Sequence, residues 1–263
     1  MHRSLACSFV ASAFLVGCGA PEDVGAARQP VVTANALTPE ALTDNALTRY
    51  PEVSAALTEN PLTGVALAKN TLTASALTDP NARTLLQHIV ACALPQGELV
   101  ELEVAGFAQS YEGQIGLARE WGREDGSCDR ACQAWVSGCV IARVNHLGQK
   151  APMALRGSHR ALIATVEEEQ RFSYREATYY GDIFSVPQIR HVCLPPGVRS
   201  DKRVCGSSLD GCVVSLVGTC LDACEEPMED GSYPSCRDRA RDPNGQFPYG
   251  AVTYPGSVTV FLP

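Results

Sequence analysis

Ten cysteines between positions 92 and 236 are the residues of this chain best equipped for chemistry: Cys92, Cys128, Cys132, Cys139, Cys193, Cys205, Cys212, Cys220, Cys224 and Cys236. Thiols in such number pair as disulfides, ligate a metal or hold a cofactor, and an even number points to pairing. No Cys-x-x-Cys step occurs, and the five histidines do not cluster with the cysteines, which argues against zinc. Haem attachment needs Cys-x-x-Cys-His, also absent. The expectation is five disulfides, with no metal and no cofactor.

Other candidates carry less. There is no Gly-x-Ser-x-Gly, His-Glu-x-x-His, P-loop or dinucleotide fingerprint, so no catalytic residue is assigned. Arg143 and His146 fall near an expected helix end, where basic side chains complement the C-terminal dipole. Glu167-Glu168-Glu169 reads as a solvated face. Asp222, Glu225, Glu226, Glu229 and Asp230 offer hard oxygen ligands in a Pro-containing loop, but not at EF-hand spacing. Tyr174, Tyr179, Tyr180 and Phe184 read better as packing than as a glycan-stacking surface. Net charge is −8 with no basic patch, so nucleic acid is not an expected partner.

The N-terminus supplies two further thiols, Cys7, which is expected to leave with a signal peptide, and Cys18, which has a different task. A short basic start, Met1-His2-Arg3, precedes an apolar run from Leu5 to Val16, too short to span a bilayer. Leu15-Val16-Gly17-Cys18 then resembles the lipobox of bacterial lipoproteins. By that resemblance the Cys18 thiol receives a diacylglycerol through a thioether and the Gly17–Cys18 bond is cut. Several acyl chains anchor stably, since each buried CH₂ contributes about 0.8 kcal/mol. Gly19 at the following position leans toward the outer membrane. The rival reading is an ordinary secretory signal cut after Ala20. Either reading exports the chain to an oxidising space, where disulfides form.

The elements that position the cysteines are legible in part. Asp79-Pro80 reads as N-cap and N1 of a helix carrying Ala82, Leu85, Leu86, Ile89, Val90 and Ala93 on one side, ended by Pro95 and Gly97. Val100–Val104 alternates as a half-buried strand, with a hairpin turn at Ala105-Gly106 into a second strand over 107–112. A second helix is expected from about Asp129 to Leu147, stopped by Gly148. On it Cys132 and Cys139 lie about 10.5 Å apart, beyond the reach of about 7 Å that a disulfide allows. Cys128–Cys132 therefore pairs as a local clip and Cys92–Cys139 staples the two helices. The last six cysteines pair among themselves. Ser173-x-x-Glu176 reads as the capping box of a third helix running to Phe184, and 213–217 and 257–261 as strands.

Upstream, leucines recur every five residues at 37, 42, 47, 57, 62, 67, 72 and 77, with Glu52 in the missing slot and Thr following most of them. Five residues rotate a helical side chain by about 140°, so no single apolar face forms. On a strand an odd period sends successive leucines to opposite faces. A pentapeptide β-helix would need small residues where Asn35, Glu40, Asn45 and Tyr50 stand, and more coils than nine pentads give. The segment is expected to be a low-complexity tether.

Several stretches resemble the uncharacterised cysteine-rich predicted lipoproteins abundant in myxobacteria. They are Ile89-Val90-Ala91-Cys92-Ala93-Leu94-Pro95, Gly116-Leu117-Ala118, Trp135-Val136-Ser137-Gly138-Cys139 with its continuation to Asn145, Leu155-Arg156-Gly157, and Glu176-Ala177-Thr178-Tyr179-Tyr180 with its continuation to Phe184. The Asn-x-Leu-Thr pentads match as well. The resemblance implies no activity; it supports the boundary near residue 79 and the Cys92–Cys139 staple. The expected organisation is a signal peptide over 1–17, a lipid-anchored tether over 18–78 and a disulfide-rich α+β domain of three helices and short antiparallel strands over 79–263. The expected role is a cell-envelope surface module for binding or structure, with the membrane and an envelope glycan or protein as partners. The alternative is an envelope hydrolase acting on glycan or peptide.

Overall fold

The computed structural model describes residues 32–34, 36–147, 150–198, 202–206 and 212–263. The expected signal segment 1–17, Cys18 and the expected helix stop Gly148 lie outside them. Strand β1 (Val32–Ala34) precedes four short helices, α1 (Pro39–Thr43), α2 (Pro51–Thr58), α3 (Gly64–Lys69) and α4 (Thr71–Ala76), and then α5 (Pro80–Ala93). The hairpin β2 (Leu99–Val104) and β3 (Phe107–Glu112) leads to α6 (Arg130–Ala142). Next come β4 (Pro152–Arg156), α7 (Val166–Arg171), β5 (Tyr174–Asp182) and β6 (Ile189–Leu194). The chain closes with α8 (Lys202–Cys205), β7 (Ser215–Thr219), α9 (Cys220–Ala223), β8 (Cys236–Arg237), β9 (Thr253–Tyr254) and β10 (Val258–Leu262). The fold is a disulfide-rich α+β domain. Among the described residues no helix is long and apolar enough to cross a membrane.

Six strands form one sheet in the order β1-β4-β10-β5-β6-β7, antiparallel except for the parallel β6–β7 pair. The last strand thus lies between β4 and β5, and its Val258, Thr259 and Val260 are fully buried. Helix α6 packs on β5 and β10, and α5 packs on α6. Five bridges form: Cys92–Cys139, Cys128–Cys132, Cys193–Cys220, Cys205–Cys212 and Cys224–Cys236.

The tether expected over 18–78 does not hold for residues 36–78. Leu37, Leu42, Leu47, Leu57, Leu62, Leu67 and Leu77 are all in the main core, and only Leu72 of the series is exposed. The regular-helix argument failed because the pentads do not build one helix. They build several, each broken before the leucines can spiral away. The threonines and asparagines do the breaking. Thr38, Thr63 and Asn70 accept the N-terminal N–H groups of α1, α3 and α4, as N-cap side chains do. Asn45 accepts from the N–H groups of Leu47 and Thr48. Most pentads therefore send their leucine inward, and the chain turns at the Thr or Asn that follows within three residues, at Thr38, Asn45, Thr63 and Asn70. The segment is also bonded to the rest of the fold: Ala46 N–H donates to Asp79, Trp121 Nε1–H to Asn60 O, and Cys128 N–H to Thr58 O.

Two further expectations are corrected. The stretch from Ser173 is strand β5, not a third helix, while the other two expected helices form as α5 and α6 and are joined by several short ones. Glu176 does not return to its own backbone but pairs with Arg203. Thr178 and Tyr179, residues suited to strands, pair with both β10 and β6, Tyr180 pairs with β6, and the Thr178 and Thr259 hydroxyls bond at 2.8 Å. Helix α6 ends at Ala142 rather than Leu147, because Val144 and Asn145 turn to pair with Leu37.

Leu57→Ala should cost about 2–5 kcal/mol, the range for emptying a buried leucine site. Leu72→Ala, at an exposed position, should change stability by less than about 0.5 kcal/mol. Guanidinium denaturation of the two variants measures the difference, and a free tether would give none at either site.

Candidate functional site

The loop after β3 is the first wall of a cleft. Its N–H groups at Gln114 and Ile115 both donate to Ala91 O, Leu117 N–H to Cys92 O and Ala118 N–H to Ala93 O. These are carbonyls that the last turn of α5 leaves unpaired, so the helix end dictates the loop's path. The following turn, Arg119–Gly122, drives Trp121 into the core edge-on to Phe184. The second wall is the start of α6, where Asp129 caps by accepting Cys132 N–H at 2.9 Å and the Cys128–Cys132 clip closes the turn. The third is the turn Arg160–Leu162, capped by His159.

Between these walls lies a cleft of about 390 Å³, lined among others by Arg119, Glu120, Ser127, Asp129, Trp135, His159 and Arg160. Trp135 and His159 pack with ring centroids 5.2 Å apart, tilted by 58°. His159 Nδ1 accepts Ala161 N–H at 3.1 Å. Burial, and secondarily the charge of Arg160, holds its pKa below the ordinary histidine value. A neutral ring whose Nδ1 accepts carries its proton on Nε2. His159 is thus a hydrogen-bond donor toward a ligand, not a base. Asp129 is committed to the helix start, and Glu120 pairs with Arg123. Among the described residues no hydrogen bond joins Ser127 to His159. The cleft presents an aromatic face, a neutral donor, carboxylates and guanidiniums, which is equipment for recognition.

The residues singled out from sequence fall elsewhere. The acids Asp222, Glu225, Glu226 and Glu229 are exposed, and none joins a group able to hold a metal among the described residues. Glu167 and Glu169 are solvated, but Glu168 is buried and pairs with Arg156 at 3.2 Å. Tyr179, Tyr180 and Phe184 are buried, whereas Tyr174 is exposed. His146 is exposed. Arg143 is the C-cap of α6, yet its side chain leaves the helix and donates to Gln114 Oε1 at 3.0 Å. The cleft residues were missed because they come from segments remote in sequence and no motif links them.

His88, on α5, is the buried titratable group with the largest consequence. Burial first, then the charges of Arg143 and Lys150, push its pKa down to about 3 from 6.5. Compared with known proteins, the chain matches no family model, no curated protein and no solved structure. Its class therefore rests on its own architecture, a disulfide-rich α+β domain with a polar, aromatic-walled cleft.

Because the unfolded chain protonates His88 near pH 6.5 and the folded chain only near pH 3, the unfolded state binds the extra proton between those values. His88 should subtract up to about 1.4 kcal/mol per pH unit as pH falls below about 6.5. The variant His88→Gln should lack that component, read as a shallower slope of unfolding free energy between pH 6.5 and 4.5 than in the parent.

Proposed function

We propose that this chain is an exported cell-envelope lipoprotein, anchored through acylated Cys18, whose folded part is a binding module for envelope glycan. Its location is read from the apolar run and Leu15-Val16-Gly17-Cys18, and from ten cysteines paired as expected of an oxidising space. The likeness to myxobacterial cysteine-rich lipoproteins and the lean toward the outer membrane belong to the same reading. The observation that carries the binding role is Trp135 beside a neutral, Nε2-protonated His159 in the cleft. An indole face stacks on the apolar face of a sugar ring, and the surrounding donors and acceptors meet its hydroxyls. The hydrolase reading is the weaker one, because the cleft carboxylates are engaged, Asp129 in capping α6 and Glu120 with Arg123, and Nδ1 of His159 accepts Ala161 N–H.

The intact mass of the mature protein from membranes should show acyl chains on Cys18, and Cys18→Ser should move the protein to the soluble fraction. Titration with peptidoglycan fragments should change tryptophan fluorescence with saturation. Trp135→Ala should weaken binding at least tenfold while leaving the unfolding transition cooperative. Absence of saturation, or equal affinity in the variant, overturns the glycan role. Release of new reducing ends from the fragments would establish the hydrolase instead.

A further inference from the structure

Cys193 at the end of β6, Cys220 and Cys224 on and after α9, and Cys236 on β8 bring four sulfurs into one buried cluster. All four residues are at most 1% exposed. Two separate bridges, Cys193–Cys220 and Cys224–Cys236, account for them in the oxidised protein. The bridges are not independent. Cys193 Sγ lies 3.4 Å from Cys224 Sγ across the gap between them, and the sulfurs of Cys193, Cys220 and Cys224 all lie within 4.8 Å of one another. Four thiolates around zinc at about 2.3 Å place their sulfurs about 3.8 Å apart. Three of the four sulfurs are already near that scale, and Cys236 Sγ stands just outside the group, bonded to Cys224 Sγ. Sequence spacing gave no hint of it, because the short step is Cys220-x₃-Cys224 and the other two ligands come from distant strands.

The charge around the cluster has the matching sign. A zinc tetrathiolate carries two net negative charges, which burial penalises unless cations stand close. Arg190 and His191 precede Cys193 on β6, Arg237 follows Cys236, and Arg241 Nη2 donates to Cys224 O at 3.3 Å. Arg190 Nη1, His191 Nδ1, Arg237 Nε and Arg241 Nε are buried without a hydrogen-bond partner. Two of these guanidiniums are held by stacking on Phe247, at 3.8 Å for Arg237 and 4.5 Å for Arg241. Arg190, Arg237 and Arg241 each keep one buried guanidinium nitrogen without an acceptor on the segments that carry these cysteines, and a tetrathiolate metal, unlike two neutral disulfides, would give such cations a counter-charge.

We infer that Cys193, Cys220, Cys224 and Cys236 constitute a redox-gated zinc site, bridged when oxidised and metal-binding when reduced. In the gating step a dithiol reductant gives two electrons and two protons to each bridge and leaves as its own disulfide. Zinc binding then displaces the four thiol protons. The inference stands apart from the glycan reading, since it uses none of the cleft residues.

The test reduces the full mature chain with a phosphine under nitrogen and titrates it with Co²⁺, then Zn²⁺. One Co²⁺ per chain with the visible bands of tetrahedral thiolate coordination is expected, displaced by one Zn²⁺. The double variants Cys128→Ser/Cys132→Ser and Cys205→Ser/Cys212→Ser should keep that uptake, and Cys193→Ser/Cys236→Ser should lose it. X-ray absorption of the zinc-loaded parent, which needs no variant to fold, should show four sulfurs near 2.3 Å. No uptake, a shell with oxygen or nitrogen ligands, or uptake unchanged by Cys193→Ser/Cys236→Ser would overturn the site.

Discussion

The fold depends on how closely α6 approaches the sheet. A Cβ at Gly138 would sit 2.3 Å from Gly256 O and 3.1 Å from Tyr179 O, and one at Gly256 would meet the backbone of Ala134 and Trp135 at 2.3–2.4 Å. Only glycine at both places lets helix and sheet meet backbone to backbone. The approach fixes what α6 can do along the rest of its length. Ser137 Oγ accepts Ile183 N–H at 3.0 Å, just past the end of β5, and the fully buried Cys139 bridges to Cys92 on α5. Trp135, nearer the start of the helix, is left to wall the cleft.

Two buried ion pairs finish the ends that glycine packing leaves open. Arg203 binds the Glu176 carboxylate and donates to the carbonyls of Ala142 and Val144, where α6 stops. Arg156 pairs with Glu168, donates to Phe172 O and Asp230 O, and lies 3.8 Å over the Phe261 ring. Such pairs add little net stability against an apolar replacement, but removing one partner strands a buried charge at about 3–5 kcal/mol. Their contribution is therefore to exclude other arrangements. Arg203 can only sit where α6 ends and β5 passes, and Arg156 only where β4, α7 and the 230 loop converge.

What the sequence disclosed follows from how local each feature is. Helix α5, the β2–β3 hairpin and the Cys128–Cys132 clip rest on neighbours within a few residues, and periodicity and turn chemistry expose them. Cys92–Cys139 was legible because helix geometry removed the alternatives. Strand β5 was not, since Ser173 and Glu176 imitate a local cap while the partner of Glu176 stands at position 203. Strands β4 and β6 carry no clean alternation. Met153, Ala154 and Leu155 are buried in succession, and a strand covered on both faces loses its period of two. The pentads misled for the opposite reason: their regularity invited a regular structure, whereas each repeat ends the one before it. The cleft drew on residues from 116 to 160 that share no spacing rule.

The molecule is held by two different means on its two sides. From Leu37 to Val260 one large apolar cluster includes the pentad leucines, both long helices and the centre of the sheet. The stretch from Cys220 to Tyr254 has its own small cluster of Tyr180, Tyr233 and Tyr254 around four cysteines, with little regular structure. So small a cluster buries too little surface to offset its own ordering, and covalent closure of the loops contributes the difference. The two sides thus depend on different surroundings. The large core answers to temperature and denaturant, and its three bridges, Cys92–Cys139, Cys128–Cys132 and Cys205–Cys212, add to an apolar cluster that is extensive in its own right. The sulfur side answers to redox potential, because its order is contributed by bonds that electrons can open. Pentads that anchor themselves in the large core join whatever precedes them to the side of the domain that reduction leaves standing.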